Sequence, residues 1–130
     1  LHEKQQKYLS APSGGPLVQH ALLAMLEKVN QKEIELLKVV EKMAHAPALL
    51  FGVENRGFIR EGYFADLVIV NSNLITKVEK GNCLYKCGWS PFENQSFSNT
   101  IEKTFVNGNL AYDNSNKINT IFGSRLTFNK

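Results

Sequence analysis

A chain of 130 residues and 14.6 kDa is the size of one domain and long enough to bury a sizeable core. Hydrophobic residues make up 43% and charged ones 21%, a globular balance, and no apolar run approaches the ~20 residues that a membrane span needs. The net charge of +3 comes from 15 basic residues scattered among 12 acidic ones, so charge alone does not point to nucleic acid.

The polar opening "LHEKQQKY" starts on Leu1 rather than Met and carries no signal-peptide pattern. It reads as sequence already under way, as expected of a tag scar, of a processed terminus or of the last part of a longer protein. It leads into "YLSAPSGGPLVQHALLAML", where a Pro-Ser-Gly-Gly-Pro loop feeds an amphipathic helix. Leu17, Val18, Ala21, Leu22, Met25, Leu26 and Val29 share one face at helical period, with Pro16 suited to the first turn and Asn30 to the end. A second helix is predicted over about residues 31–43, where Leu36, Val39, Val40 and Met43 repeat at i, i+3, i+4, i+7. "HAPALLFG" predicts a short third helix, with Pro47 near its start and Gly52 just past its end.

Beyond Gly52 the period becomes extended. Asp66 precedes the apolar run Leu67, Val68, Ile69, Val70, short enough for a buried strand. "KTFVNGNLAYD" places Asn107-Gly108 between two β-prone runs, a strong hairpin signal. Residues 118–128 predict one more strand. Helices followed by strands make an α+β unit, or pieces of two domains.

Catalytic sets are sparse. His2, His20 and His45 form no His-X-His or His-Glu-X-X-His pattern, so His20 reads as a helix-surface or packing residue and His45 as a polar residue at a helix junction. Ser13 lacks the Gly-X-Ser-X-Gly elbow of a nucleophile, and Ser90 in "GWSPF" has no evident base. Cys83 and Cys87 have no second pair with which to make a zinc site. They read as reduced thiols in or beside a strand, with a cytoplasmic location as the default. The "SGGP" loop offers backbone N–H groups at a helix start but lacks the Gly-Lys-Ser/Thr ending of a P-loop. An anion site and a plain connector both remain open there.

Several stretches together carry a resemblance. "EKQQKYLSAPSGGPLVQHALLAML", "KMAHAPALLFGVENRGFIREGYFADLVIV", "KCGWSPFENQSF" and "TFVNGNLAYD" resemble, in order, the C-terminal end of dihydroorotases, cyclic amidohydrolases of the amidohydrolase superfamily. The resemblance implies an α/β parent: a metal-dependent TIM barrel, (β/α)₈, plus a small composite β-sandwich built from both chain ends. Residues 1–52 would be the end of the barrel and residues 53–130 the C-terminal strands of the sandwich. A barrel needs about 200 residues or more, so this chain cannot form one alone.

The implied reaction interconverts L-dihydroorotate and N-carbamoyl-L-aspartate in pyrimidine biosynthesis. The implied cofactor is zinc or a similar divalent metal, held in the parent by ligands that precede this chain. The catalytic Asp lies in an Asp-His-Ala-Pro-His-like motif just before the Glu-Lys that matches Glu3-Lys4. No catalytic or metal residue is therefore expected here, and the isolated chain is expected to be inactive.

What carries over is the loop. Ala11, Pro12, Ser13 and Gly14 match a stretch whose backbone contacts the small-molecule substrate, although Ser13 stands where many relatives have Phe. Fragments of an allantoinase or dihydropyrimidinase share the barrel and the "ADLV" strand, whereas "CGWSPF" points to dihydroorotase. A non-catalytic relative that assembles with a partner enzyme is a third reading. No nucleic-acid or membrane partner is implied. Helix faces made for an absent barrel predict self-association.

Overall fold

The computed structural model describes residues 1–114, 116–118 and 123–129. After a 3₁₀ turn at His2–Gln5 and an irregular loop, α1 spans Ala21–Asn30. The predicted helix therefore starts about one turn late. The cause lies in Gln19: its N–H donates to the Tyr85 hydroxyl at 2.9 Å, and its side-chain amide bridges the Asn82 carbonyl (2.8 Å) and the Leu84 N–H (2.7 Å). This three-point attachment holds the 17–20 turn against residues 82–85, leaving Leu17 and Val18 exposed outside the helix.

The second and third predicted helices are one rod. α2 (Leu36–Val40) passes through a π-helical stretch, Glu41–His45, into α3 (Ala46–Leu50) without a break. Residues 31–35 are turn, not helix, with Lys32 at φ +60°. Pro47 sits at the start of α3, where its missing N–H falls at the π-to-α junction. The wider π turn admits a proline that would otherwise cost a helical bond and clash with the turn before it. Gly52 ends the rod at φ +62°, as predicted for a left-handed cap.

The strands form two sheets. β1 (Leu67–Asn71), β4 (Thr100–Val106), β5 (Asn109–Asp113) and β6 (Asn116–Lys117) make an antiparallel sheet in that order. β2 (Thr76–Lys77) and β3 (Ser96–Phe97) make a second, two-stranded one. Asn107 (φ 51°) and Gly108 (φ 78°) close the β4–β5 hairpin, both left-handed as a two-residue type I′ turn requires.

β1 exists where predicted but is an edge strand, paired among the described residues only with β4, and Val68 and Ile69 lie exposed. Val68 and Ile69 point to opposite faces, so the apolar run is not the buried strand its composition predicted. Of the strand predicted over 118–128, residues 119–122 lie outside the described residues. Within 123–129, Phe128 alone bridges, antiparallel, to Val53.

Leu23 of α1, Val78 and Phe97 form the core, with Ala24, Phe92, Cys83 and Ile101 packed around them. This core fastens the helix behind the loop to both sheets. A second set of contacts fixes the hairpin: the Arg56 guanidinium pairs with Asp66 and donates to Asn107 Oδ1 at 2.7 Å, while Asp66 Oδ1 accepts the Asn107 N–H at 2.8 Å. Gly57 lies so close to the rod that a Cβ there would meet the Ala48 Cβ at 2.4 Å.

Candidate functional site

The loop 11–16 has no regular secondary structure and lies largely at the surface. Its two ends are held differently. On the N-terminal side, the Ser10 and Ala11 N–H groups both donate to the Lys7 carbonyl, closing a turn at 2.8 and 3.0 Å. On the C-terminal side, the 17–20 turn is fastened by Gln19 as described above. Between them, the Lys4 ammonium donates to the carbonyls of Pro12, Ser13 (3.0 Å) and Gly14 (2.6 Å). Gly14 is left-handed at φ +83°, with nothing within 4 Å of where a Cβ would stand. The four residues predicted to meet substrate, Ala11, Pro12, Ser13 and Gly14, therefore lie in one continuous stretch at the surface, Ala11 partly covered and the other three exposed.

His20 follows immediately and is 1% exposed. Its Nδ1 lies 3.0 Å from the Ser90 hydroxyl oxygen, which also accepts the Phe92 N–H at 3.2 Å. The Phe97 ring stacks on the imidazole, and Tyr85 and Phe92 meet it edge-on. Burial alone pushes the His20 pKa below its ordinary value, which favours the neutral ring.

Ser90 thus does have a histidine beside it, contrary to the expectation from "GWSPF" alone. The 70-residue separation hid the pair. Both side chains are buried, so the pair works as a packing joint between α1 and the 90–97 segment. The packing reading of His20 holds.

The other histidines sit elsewhere. His45 is at the junction into α3, stacked on Phe58 at 4.3 Å between ring centres, as a junction residue should be. His2 is in the opening 3₁₀ turn. Among the described residues no three His, Cys, Asp or Glu side chains come together in a metal-binding group. The described residues therefore offer no group that fits a catalytic metal.

Cys83 and Cys87 are free thiols in the loop after the 3₁₀ turn Lys80–Asn82, not in a strand. Burial, with Glu93 and Cys87 nearby, raises the Cys83 pKa and keeps it protonated. A cleft of about 700 Å³ lies between α3 and residues 53–63, with Arg60 stacked over Phe58 at 4.3 Å. It shares no residue with the loop. No helix among the described residues is long and apolar enough to cross a membrane.

Sequence reasoning missed three residues that shape this site: Lys4, Gln19 and Tyr85. Each acts through the backbone of a distant segment, and no short spacing announces such a contact.

Residues 11–16 are thus an irregular surface loop leading into the first helix of an α+β chain. Residues 11–111 match the amidohydrolase family, and the chain belongs to it. More particularly, it is 30% identical over 110 residues to the dihydroorotase of Methanosphaera stadtmanae, covering 85% of this chain and 26% of that protein. The dihydroorotase of Clostridioides difficile is 33% identical over 112 residues, again covering 85% of this chain and 26% of that protein. Among solved structures, the L-hydantoinase (dihydropyrimidinase) of Arthrobacter aurescens superposes with a TM-score of 0.76 at 29% identity, covering 85% of this chain and 25% of that one. The chain spans about a quarter of the length of these relatives.

Proposed function

We propose that this chain is the C-terminal portion of a cyclic amidohydrolase of the dihydroorotase kind, interconverting L-dihydroorotate and N-carbamoyl-L-aspartate. The observation that carries the reading is the loop: residues 11–14 are small, lie outside regular structure, and leave the Ser13 and Gly14 N–H groups without an acceptor among the described residues. A planar ring bearing amide and carboxylate groups is well matched by main-chain donors and acceptors, and the small residues allow close approach. On this reading residues 1–52 are the end of the barrel and residues 53–130 contribute strands to the small β-sandwich.

Hydrolysis adds water across the ring C–N bond. The carbonyl carbon gains the oxygen, the ring nitrogen takes the proton, and the ring opens to the carbamoyl acid. A divalent metal, zinc or similar, would supply the activated water, and residues of the parent outside this chain would hold it. The chain's own part is to hold the ring in place, and alone it is inactive. Cytoplasmic pyrimidine synthesis is the setting that belongs to this reading.

The experiment is made on the complete protein that carries this segment, assayed with L-dihydroorotate. Gly14→Val forces a branched residue into a left-handed position and shifts the loop backbone. KM should rise by roughly tenfold or more as ring contacts are lost. Turnover with an unchanged KM would remove the loop from the site.

A second reading has a specific observation behind it: the superposition on an L-hydantoinase (dihydropyrimidinase). A parent acting on hydantoin or dihydropyrimidine rings would use the same loop with a substrate lacking the ring carboxylate.

A further inference from the structure

We propose that Lys4 is a positioning residue for the substrate loop: by gathering three successive carbonyls it turns three successive N–H groups the other way, toward the ligand. The inference rests on the reading of residues 11–14 as the substrate loop and goes beyond it, because Lys4 lies outside that stretch.

The geometry is that of a tripod. An ammonium has three donors and no acceptor, and Lys4 Nζ meets the Pro12, Ser13 and Gly14 carbonyls, the latter two at 3.0 and 2.6 Å. Lys4 has no carboxylate partner among the described residues, so its charge is directed at these carbonyls. All peptide bonds of the described residues are trans.

In a planar trans peptide the N–H points opposite to the C=O. Fixing the carbonyls of residues 12, 13 and 14 on Lys4 therefore fixes the N–H groups of Ser13, Gly14 and Gly15 on the far side. Among the described residues none of those three N–H groups has a hydrogen-bond acceptor. A row of unspent backbone donors suits a carboxylate or a polarised ring carbonyl. Gly14 at φ +83° lets consecutive planes be aligned in this way.

The same charge adds a second effect. A cation on the carbonyl side polarises each peptide and strengthens the opposite N–H as a donor. Lys4 acts through the loop and is not a catalytic residue.

Two measurements test this. The first is backbone ¹⁵N relaxation on the 130-residue chain, which needs no activity. In wild type the heteronuclear NOE of Ser13, Gly14 and Gly15 should match that of the neighbouring turn. In Lys4→Met, which keeps the stem and removes all three donors, it should fall to that of a free tail, and Lys4→Arg should restore part of it. Equal relaxation in wild type and Lys4→Met overturns the proposal.

The second uses the complete protein. Lys4→Met should raise KM for L-dihydroorotate roughly tenfold while kcat changes less than about twofold, because the loop binds and does not react. A loss confined to kcat, or no change in either, also overturns it. If the complete protein turns over no cyclic amide, the substrate reading fails, while the relaxation result still decides whether Lys4 orders the loop.

Discussion

Removing the Ser90 hydroxyl should loosen the joint that follows the 11–16 loop. His20 is 1% exposed and Ser90 4%, and Nδ1 to Oγ is 3.0 Å, so Ser90→Ala leaves a buried ring nitrogen without its hydroxyl partner. A buried polar group stranded in this way costs about 1–3 kcal/mol. In a domain of this size that lowers Tm by roughly 3–10 °C. The His20→Phe, Ser90→Ala double variant removes both polar ends and keeps an aromatic ring against Phe97, Tyr85 and Phe92. It should be less destabilised than the sum of the two single changes.

Stability should also depend on pH through His20. Its folded pKa lies below 6.5 because burial disfavours the charged ring, so the unfolded chain binds the proton first as pH falls. The contribution is fully present above about 6.5, the unfolded value, and is lost as pH drops through the folded pKa. Urea denaturation at pH 8.0 and pH 5.0 measures it: wild type should lose midpoint at the lower pH, and His20→Phe should lose less. A Ser90→Ala midpoint equal to wild type, or the same pH dependence with and without His20, would refute the joint.

Gly57→Ala should destabilise by about 2–4 kcal/mol, since its Cβ would meet Ala48 Cβ at 2.4 Å and the Ala44 carbonyl at 2.9 Å from a left-handed backbone; thermal unfolding reads it. Asp66→Ala should cost about 1–3 kcal/mol by removing the carboxylate that pairs with the mostly buried Arg56 guanidinium and accepts the Asn107 N–H, with the largest shifts in the amide spectrum falling in the β4–β5 hairpin. The isolated chain should self-associate through Leu37, Leu49, Leu50 and Phe51 on the rod, all more than two-thirds exposed. Light scattering over a hundredfold dilution should show a falling mass, and Leu37→Glu with Leu50→Glu should give a monomer.

What was legible in the sequence followed from local chemistry. Asn107-Gly108 made its hairpin because a type I′ turn needs two left-handed residues, and Gly52 ended its helix for the same steric reason. What local pattern missed was set by distant partners. Gln19 gave up helix for three bonds to residues 82–85, which delayed α1 by a turn. Pro47 marked a helix start by every local rule, yet the π stretch before it let one rod run through. β1 read as buried from its apolar run, but periodicity does not say which faces have neighbours.

In the loop, the Gly- and Pro-rich composition marked a segment without regular structure. It did not show that Lys4, eight to ten residues upstream of its acceptors, sets which side the carbonyls take. Ser90 and His20, 70 positions apart, had no common motif to betray them.

Steady-state hydrolysis by the complete protein, compared on L-dihydroorotate, hydantoin and allantoin at equal metal loading, tests the dihydroorotase reading most directly. A ring carboxylate facing three loop N–H groups should give L-dihydroorotate the highest kcat/KM by about tenfold or more. A preference for hydantoin or allantoin would contradict it and assign the loop to a ring without that carboxylate.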